Sequence, residues 1–274
     1  MRWNPFAKTP PTVSVVRLSG LIAQGSRGTL NDAGIGPLLE RAFTRGRPKA
    51  VALVVNSPGG SPVQSSLIGS RIRRLSEEKG VPVHAFVEDV AASGGYWLAS
   101  AADHVWTDET SVVGSIGVIS AGFGLDGLIE RYGVERRVHT AGNSKSMLDP
   151  FRPEKDEDVE RLRRILEQIH ATFIDHVRAR RGSRLAEEPD LFTGEVWIGR
   201  RAQEVGLTDG IGHLEPKMRE ILGPRVRFRR YGQRRPFLRR LGVAEGLGAS
   251  LGASAIDAVI AAIEERAAYA RFGL

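Results

Sequence analysis

Ala91-Ala92-Ser93-Gly94-Gly95-Tyr96 places a serine after an apolar run and before a helix-like segment, with small residues on both sides. Small residues let the backbone turn sharply there and leave the hydroxyl open. The free N–H groups of a first helical turn would face that hydroxyl and can hold an oxyanion. The plainer use of the same pattern is a helix-capping serine, with glycines for tight packing. Asn56-Ser57-Pro58-Gly59-Gly60-Ser61 also follows an apolar run directly. Its paired glycines allow unusual dihedrals and close approach of a substrate, so they could add a second oxyanion donor. Read alone, it is a plain strand-to-helix turn.

A nucleophilic serine needs a base. The chain has six histidines: His84, His104, His139, His170, His176 and His213. None has flanking residues that mark a triad histidine, and no HExxH-type metal spacing exists. Lysine is the other option. Only Lys8, Lys49, Lys79, Lys145, Lys155 and Lys217 occur among 39 basic residues. In an arginine-biased chain a lysine carries information, because a desolvated lysine can lose its proton near neutral pH and arginine cannot. Lys145 lies in Ala141-Gly142-Asn143-Ser144-Lys145-Ser146-Met147-Leu148-Asp149-Pro150, a loop of mostly small residues. By itself that loop reads as solvated.

The elements that must position these residues follow from periodicity. Residues 12–18 alternate with β-branched side chains and predict a strand. Residues 50–55 are continuously apolar, as in a strand covered on both faces. Further strands are predicted at 81–87, 104–107, 116–120 and 135–140. Helices are predicted at 37–45, 62–79, 94–102 and 196–204. The clearest helix spans 154–181, with Val159, Leu162, Leu166, Ile169, Phe173 and Val177 at helical spacing. Acids open it, Arg178, Arg180 and Arg181 close it, and Gly182 stops it. Strands alternating with helices predict an α/β layered fold.

Composition removes whole classes. With 0 Cys, disulfide scaffolds, Cys-ligated metals and a thiolate nucleophile are excluded. The net charge is +7. Segment 225–240, RVRFRRYGQRRPFLRR, holds eight Arg and no acid, so the rest is close to neutral. A uniformly basic nucleic-acid-binding surface is therefore not expected. No run of about 18 apolar residues predicts a transmembrane helix. The first residues lack the apolar core of a secretory signal. The expectation is a cytoplasmic protein, with peripheral contact at the inner membrane through 225–240 as a further option.

Together these pieces resemble the signal peptide peptidase A group of peptidase family S49. The resemblance covers about residues 12–222 and rests on NSPGGS (56–61), AASGGYW (91–97), AADHVW (101–106), VVGSIGVI (112–119), AGNSKSMLDPF (141–151) and EVGLTDGIG (204–212). It implies a ClpP/crotonase-type fold of stacked βα units, assembled as a ring or dome. It implies Ser93 as nucleophile and Lys145 as general base. The amides of Gly94 and of Gly59 or Gly60 would form the oxyanion hole. Ser115 would support the lysine amine, and no metal or cofactor is implied. In short bacterial members the serine and lysine come from neighbouring protomers, so a lone copy would be inactive. Family members usually carry an N-terminal anchor or signal, and neither is legible here.

The implied chemistry is acyl transfer to a peptide substrate. Lys145 must be neutral to take the Ser93 proton, which calls for a desolvated site. The alternatives are a ClpP-type Ser-His-Asp protease, a crotonase-type acyl-CoA enzyme, and a catalytically silent binding module. The expected organisation is a flexible arm at 1–11, a peptidase domain at 12–222, and an arginine-rich linker with a C-terminal amphipathic helix at 223–274. That helix presents Ile256, Val259, Ile260, Ile263 and Ala267 on one face, suited to docking on a neighbouring protomer. Val226 and Phe228 fit an edge strand.

Overall fold

The structure is a computed structural model that describes residues 10–25, 29–142, 144–232 and 266–274. The element order is β1 (Thr12–Ser19), α1 (Asp32–Thr44), β2 (Ala50–Ser57), α2 (Pro62–Lys79), β3 (Val83–Ala92), α3 (Gly94–Ser100), β4 (His104–Thr107), β5 (Val112–Gly114), α4 (Asp126–Arg131) and α5 (Asp156–Arg181). There follow β6 (Val196–Ile198), α6 (Gly199–Glu204), β7 (Gly210–Ile211), α7 (Leu214–Leu222) and β8 (Arg227–Tyr231). The α/β class predicted from alternation is what forms.

One mixed sheet organises the molecule, in the order β6-β5-β3-β2-β1-β8, with β4 and β7 branching from β3. β1, β2 and β3 pair in parallel, and β2 is buried along nearly its whole length. A parallel strand covered on both faces needs such a continuous apolar sequence. α2 has clear punctuation. Ser61 accepts the Gln64 amide, Pro62 opens the helix, and Gly80 ends it at φ 59°.

Several boundaries differ from the sequence expectation. β3 runs on to Ala92, because past its pairing with β4 it takes β5 as partner on that side, while a register shift past Val55 keeps Ala91 paired with Ser57 of β2. No strand forms at 116–120. Gly114 and Ser115 turn to φ 103° and 50°, and the Ser115 amide bonds the Glu195 carbonyl instead of a ladder. Residues 135–140 are largely exposed and have no sheet partner. The helix expected at 196–204 begins as β6, antiparallel to β5, and turns helical at Gly199. β8 pairs with β1, so the sheet continues past the boundary drawn at residue 222. Most of the final helix lies outside the described residues, although 266–270 are helical.

A buried ion pair ties α5 to the sheet. Arg181, 2% exposed, donates to Asp209 at 2.8 Å and to the Gly206 carbonyl at 2.8 Å. Asp209 also accepts the Val105 amide and Arg184. Burial pushes the Asp209 carboxyl up, but these partners outweigh it and hold the group below the ordinary carboxylate range. Breaking one partner leaves a buried charge uncompensated, at a cost of about 3–5 kcal/mol. Arg181→Met should therefore lower the unfolding free energy by that amount in urea titration. Asp209→Leu added to it should recover part of the loss.

Candidate active site

β3 ends at Ala92 and α3 begins at Gly94, so the chain must reverse within Ser93 alone. Ser93 adopts φ 52°, ψ −123°, a region costing on the order of 1–3 kcal/mol for a non-glycine residue. Its amide donates to Gly114 and its carbonyl accepts from Trp97, which lock the turn. The Ser93 side chain makes no capping hydrogen bond. The capping-serine reading therefore fails, and the hydroxyl stands open on a cavity of about 600 Å3.

Glycine is required around it by space. A Cβ on Gly59 would lie 2.8 Å from both the Gly94 nitrogen and the Ser93 Cβ. A Cβ on Gly94 would meet Ser65 Oγ at 2.4 Å, and one on Gly95 would meet the Ser57 carbonyl oxygen at 2.3 Å. The two glycine-rich segments thus pack backbone against backbone. Gly59, Gly60, Ser93, Gly94 and Ser115 all line the same cavity. The Gly59 amide already donates to Ser57 Oγ at 3.2 Å. The Gly94 amide, first in α3, precedes any intrahelical partner.

Lys145 is elsewhere. It is exposed and does not line the cavity. It sits in an arm, residues 118–155, that leaves the core between β5 and α5. Nothing in α4 is buried. The arm holds itself together locally, through the Leu125 amide on the Pro150 carbonyl and Arg136 on Asp149. Its large apolar side chains face outward: Ile119 is 65% exposed, Phe123 84% and Tyr132 74%. The stripe on α5 is only half-buried from Val159 to Ile169 and becomes buried at Phe173 and Val177.

Some cavity residues were not singled out by sequence reasoning. Trp97, Ile169 and Phe173 form an apolar wall. His170 also lines it, with Nε2 on the Ile116 carbonyl at 2.9 Å. His176 stacks on Trp97 at 4.3 Å and meets the Trp97 carbonyl at 3.2 Å. The end of the chain returns here too. Ala268, Arg271 and Phe272 line the cavity, and the Tyr269 hydroxyl donates to the Asn56 carbonyl at 2.8 Å. The α5 stripe pointed to the wall, but no local signal marked the C-terminal residues.

The sequence model of peptidase family S49 matches residues 76–221, more than half of the chain. The chain belongs to peptidase family S49. The S49 chain is 46% identical, over 98% of its length, to a Brucella abortus protein named Na(+)/H(+) antiporter NhaA, and covers 38% of that protein. It is 32% identical to the putative protease MJ0651 of Methanocaldococcus jannaschii, covering 63% of this chain and 55% of that one. It is 31% identical to the chloroplastic serine protease SPPA of Arabidopsis thaliana, covering 74% of this chain and 31% of that one. The S49 chain thus spans less than two thirds of the length of these relatives.

Two outcomes follow from this geometry. Gly59→Ala should cost about 1–3 kcal/mol by overpacking against Ser93 and Gly94, read as a lowered unfolding midpoint. Burial pushes the His176 imidazole from 6.5 down to about 4. The unfolded chain then binds this proton first, so stability should decline as pH falls from about 6.5 to 4. Burial holds His84 near 4 as well, so His176→Phe should make that part of the pH profile shallower in thermal unfolding without removing it.

Proposed function

We propose that this chain is a serine endopeptidase in which Ser93 of one protomer is activated by Lys145 of a neighbour. The observation that carries the reading is the separation of the two groups. Ser93 opens on the cavity, while Lys145 rides on an exposed arm whose apolar residues are uncovered in a single copy. Exposed large apolar side chains at this density suit a protein–protein contact. A contact that buries the arm would also desolvate Lys145, which favours its neutral form.

In the proposed step, neutral Lys145 Nζ takes the Ser93 hydroxyl proton as Oγ attacks a peptide carbonyl. The oxyanion is held by the Gly94 amide and a second amide from the Gly59–Gly60 segment. Gly60 is the better candidate, because the Gly59 amide is occupied by Ser57. Each such donor is worth about 10²–10³ in rate. Ser115 stands on the same cavity and would orient the incoming amine. As the intermediate collapses, the proton passes to the leaving amine, and water then hydrolyses the acyl-enzyme. The wall of Trp97, Ile169 and Phe173 suits small or apolar side chains of an extended or unfolded peptide.

A Ser–His mechanism would have to recruit His170, the histidine on the cavity, whose Nε2 already meets the Ile116 carbonyl. The antiporter name of the Brucella relative is not transferred, since the larger part of that protein lies outside the shared segment. Among the described residues, no helix is long and apolar enough to cross a membrane.

Mixing of variants tests the reading. Ser93→Ala and Lys145→Ala should each lose at least about 10³-fold in cleavage of a quenched unfolded protein while assembling normally. Lys145→Arg should be equally inactive, because a guanidinium does not deprotonate. Co-refolding the two Ala variants in equal amounts should restore roughly a quarter of parental activity, as random neighbours rebuild intact sites. Activity in Lys145→Arg, or no recovery in mixed oligomers, would sink the shared dyad.

A further inference from the structure

The α1–β2 turn and β8 are far apart in the chain and side by side in the fold. The Thr12 carbonyl accepts the Lys49 amide at 2.8 Å, and Thr12 stands in register with Arg227. Arg229 Nη1 and the Tyr231 hydroxyl both donate to the Arg45 carbonyl, at 3.1 and 3.3 Å. The Arg41 guanidinium lies 5.9 Å from the Tyr231 ring centroid. Arg41, Arg45, Arg47, Lys49, Arg225, Arg227 and Arg229 therefore form one exposed surface along the sheet edge.

None of these cations is ion-paired among the described residues. Arginines elsewhere commonly are: Arg71 with Asp32, Arg73 with Asp103, Arg74 with Glu78, and Arg181 with Asp209. Even Arg230, beside the patch, is held by Glu215. The fold leaves a positive field at this edge without compensation. A charged edge strand guards against strand addition. That need is met by β8 itself and does not call for a second basic group on the α1–β2 turn.

The kind of anion follows from what the patch lacks. Its aromatic rings are covered. Phe43 and Tyr231 are buried, and Phe228 is half-buried beneath Arg219 at 5.6 Å. Among the described residues of the patch, no ring is open for nucleic-acid bases to stack on. Guanidinium groups match phosphate oxygens without any base readout. The chain then continues as Gln233-Arg234-Arg235-Pro236-Phe237-Leu238-Arg239-Arg240, with Phe and Leu among arginines and no acid. That composition suits an anionic bilayer surface.

We propose that this edge docks the chain on anionic phospholipid, with the 41–49 turn and β8 acting as one contact. Lys49 and Arg227 stand at the N-terminal ends of their strands, whereas Ser93 follows the C-terminal end of β3. Docking here leaves the cavity open.

Co-sedimentation of the full chain with vesicles tests this, using phosphatidylcholine alone and phosphatidylcholine mixed with phosphatidylglycerol, at low and high salt. Partitioning is expected only on the anionic vesicles, and it should collapse at high salt. Arg45→Glu/Arg47→Glu/Lys49→Glu leaves 225–240 intact, yet should weaken partitioning at least tenfold, since each cation contributes about fivefold. Arg227→Glu/Arg229→Glu should do the same, and the milder Arg47→Gln/Lys49→Gln should give an intermediate loss at an unchanged unfolding midpoint. Equal binding to neutral vesicles, no binding at all, or parental binding by the turn variant would each overturn the proposal. So would tighter binding of duplex DNA than of anionic vesicles.

Discussion

At the C-terminal end of the central strands, two backbones approach until neither has room for a side chain. Gly59 lies against Ser93 and Gly94, and Gly95 lies against Ser57. This contact sets much of the surrounding architecture. It lets α3 follow β3 with a single residue between them, and it forces Ser93 into a left-handed turn. It also presents two backbone segments to one cavity. The cost of the strained serine is met by neighbours. Ser93 bonds β5 and α3, and Ser57 bonds both Gly20 and Gly59. The parallel core behind it, buried on both faces, keeps the strand ends in register.

The rest of the molecule divides into a packed core and an arm. Helix α5 joins them. Its C-terminal part is anchored by Phe173, Val177 and the Arg181–Asp209 pair. Its N-terminal part continues outward with a stripe only half covered. The arm before it has its own short-range hydrogen bonds but no buried side chain in α4. A segment of this kind gains little from its own chain. Covering its apolar residues would remove them from water, the favourable term that drives association. The same event would bring Lys145 into a less solvated place. Assembly and activation of the base are thus coupled through one desolvation in the proposed function.

Charge follows a similar division. Most arginines in the body are neutralised by carboxylates close at hand, which suits a sheet wrapped by helices. At the β8 edge, by contrast, unpaired cations from two distant segments meet. Linear reading located eight arginines at 225–240 and treated the remainder as balanced. In the fold, the Arg41–Lys49 turn joins the first part of that stretch.

The α/β class, the central strands and α2 were legible in the sequence, because they depend on local pattern. Continuous apolar runs mark strands buried on both faces, and Ser61, Pro62 and Gly80 mark helix ends by local chemistry. The serine in its small-residue setting was legible for the same reason, as was the family, through motifs in order. Short elements were not. The 116–120 strand fails because Ser115 finds a partner in Glu195, eighty residues on in the fold's long return. Residues 135–140 carry strand-like pattern but meet no neighbouring strand. Which side chains line the cavity, and that Phe272 reaches it, depended on long-range packing that no local pattern encodes. The separation of Ser93 from Lys145 within one copy was a matter for tertiary structure as well. Sequence orders residues along a chain, but only the packed sheet determines which of them share a space.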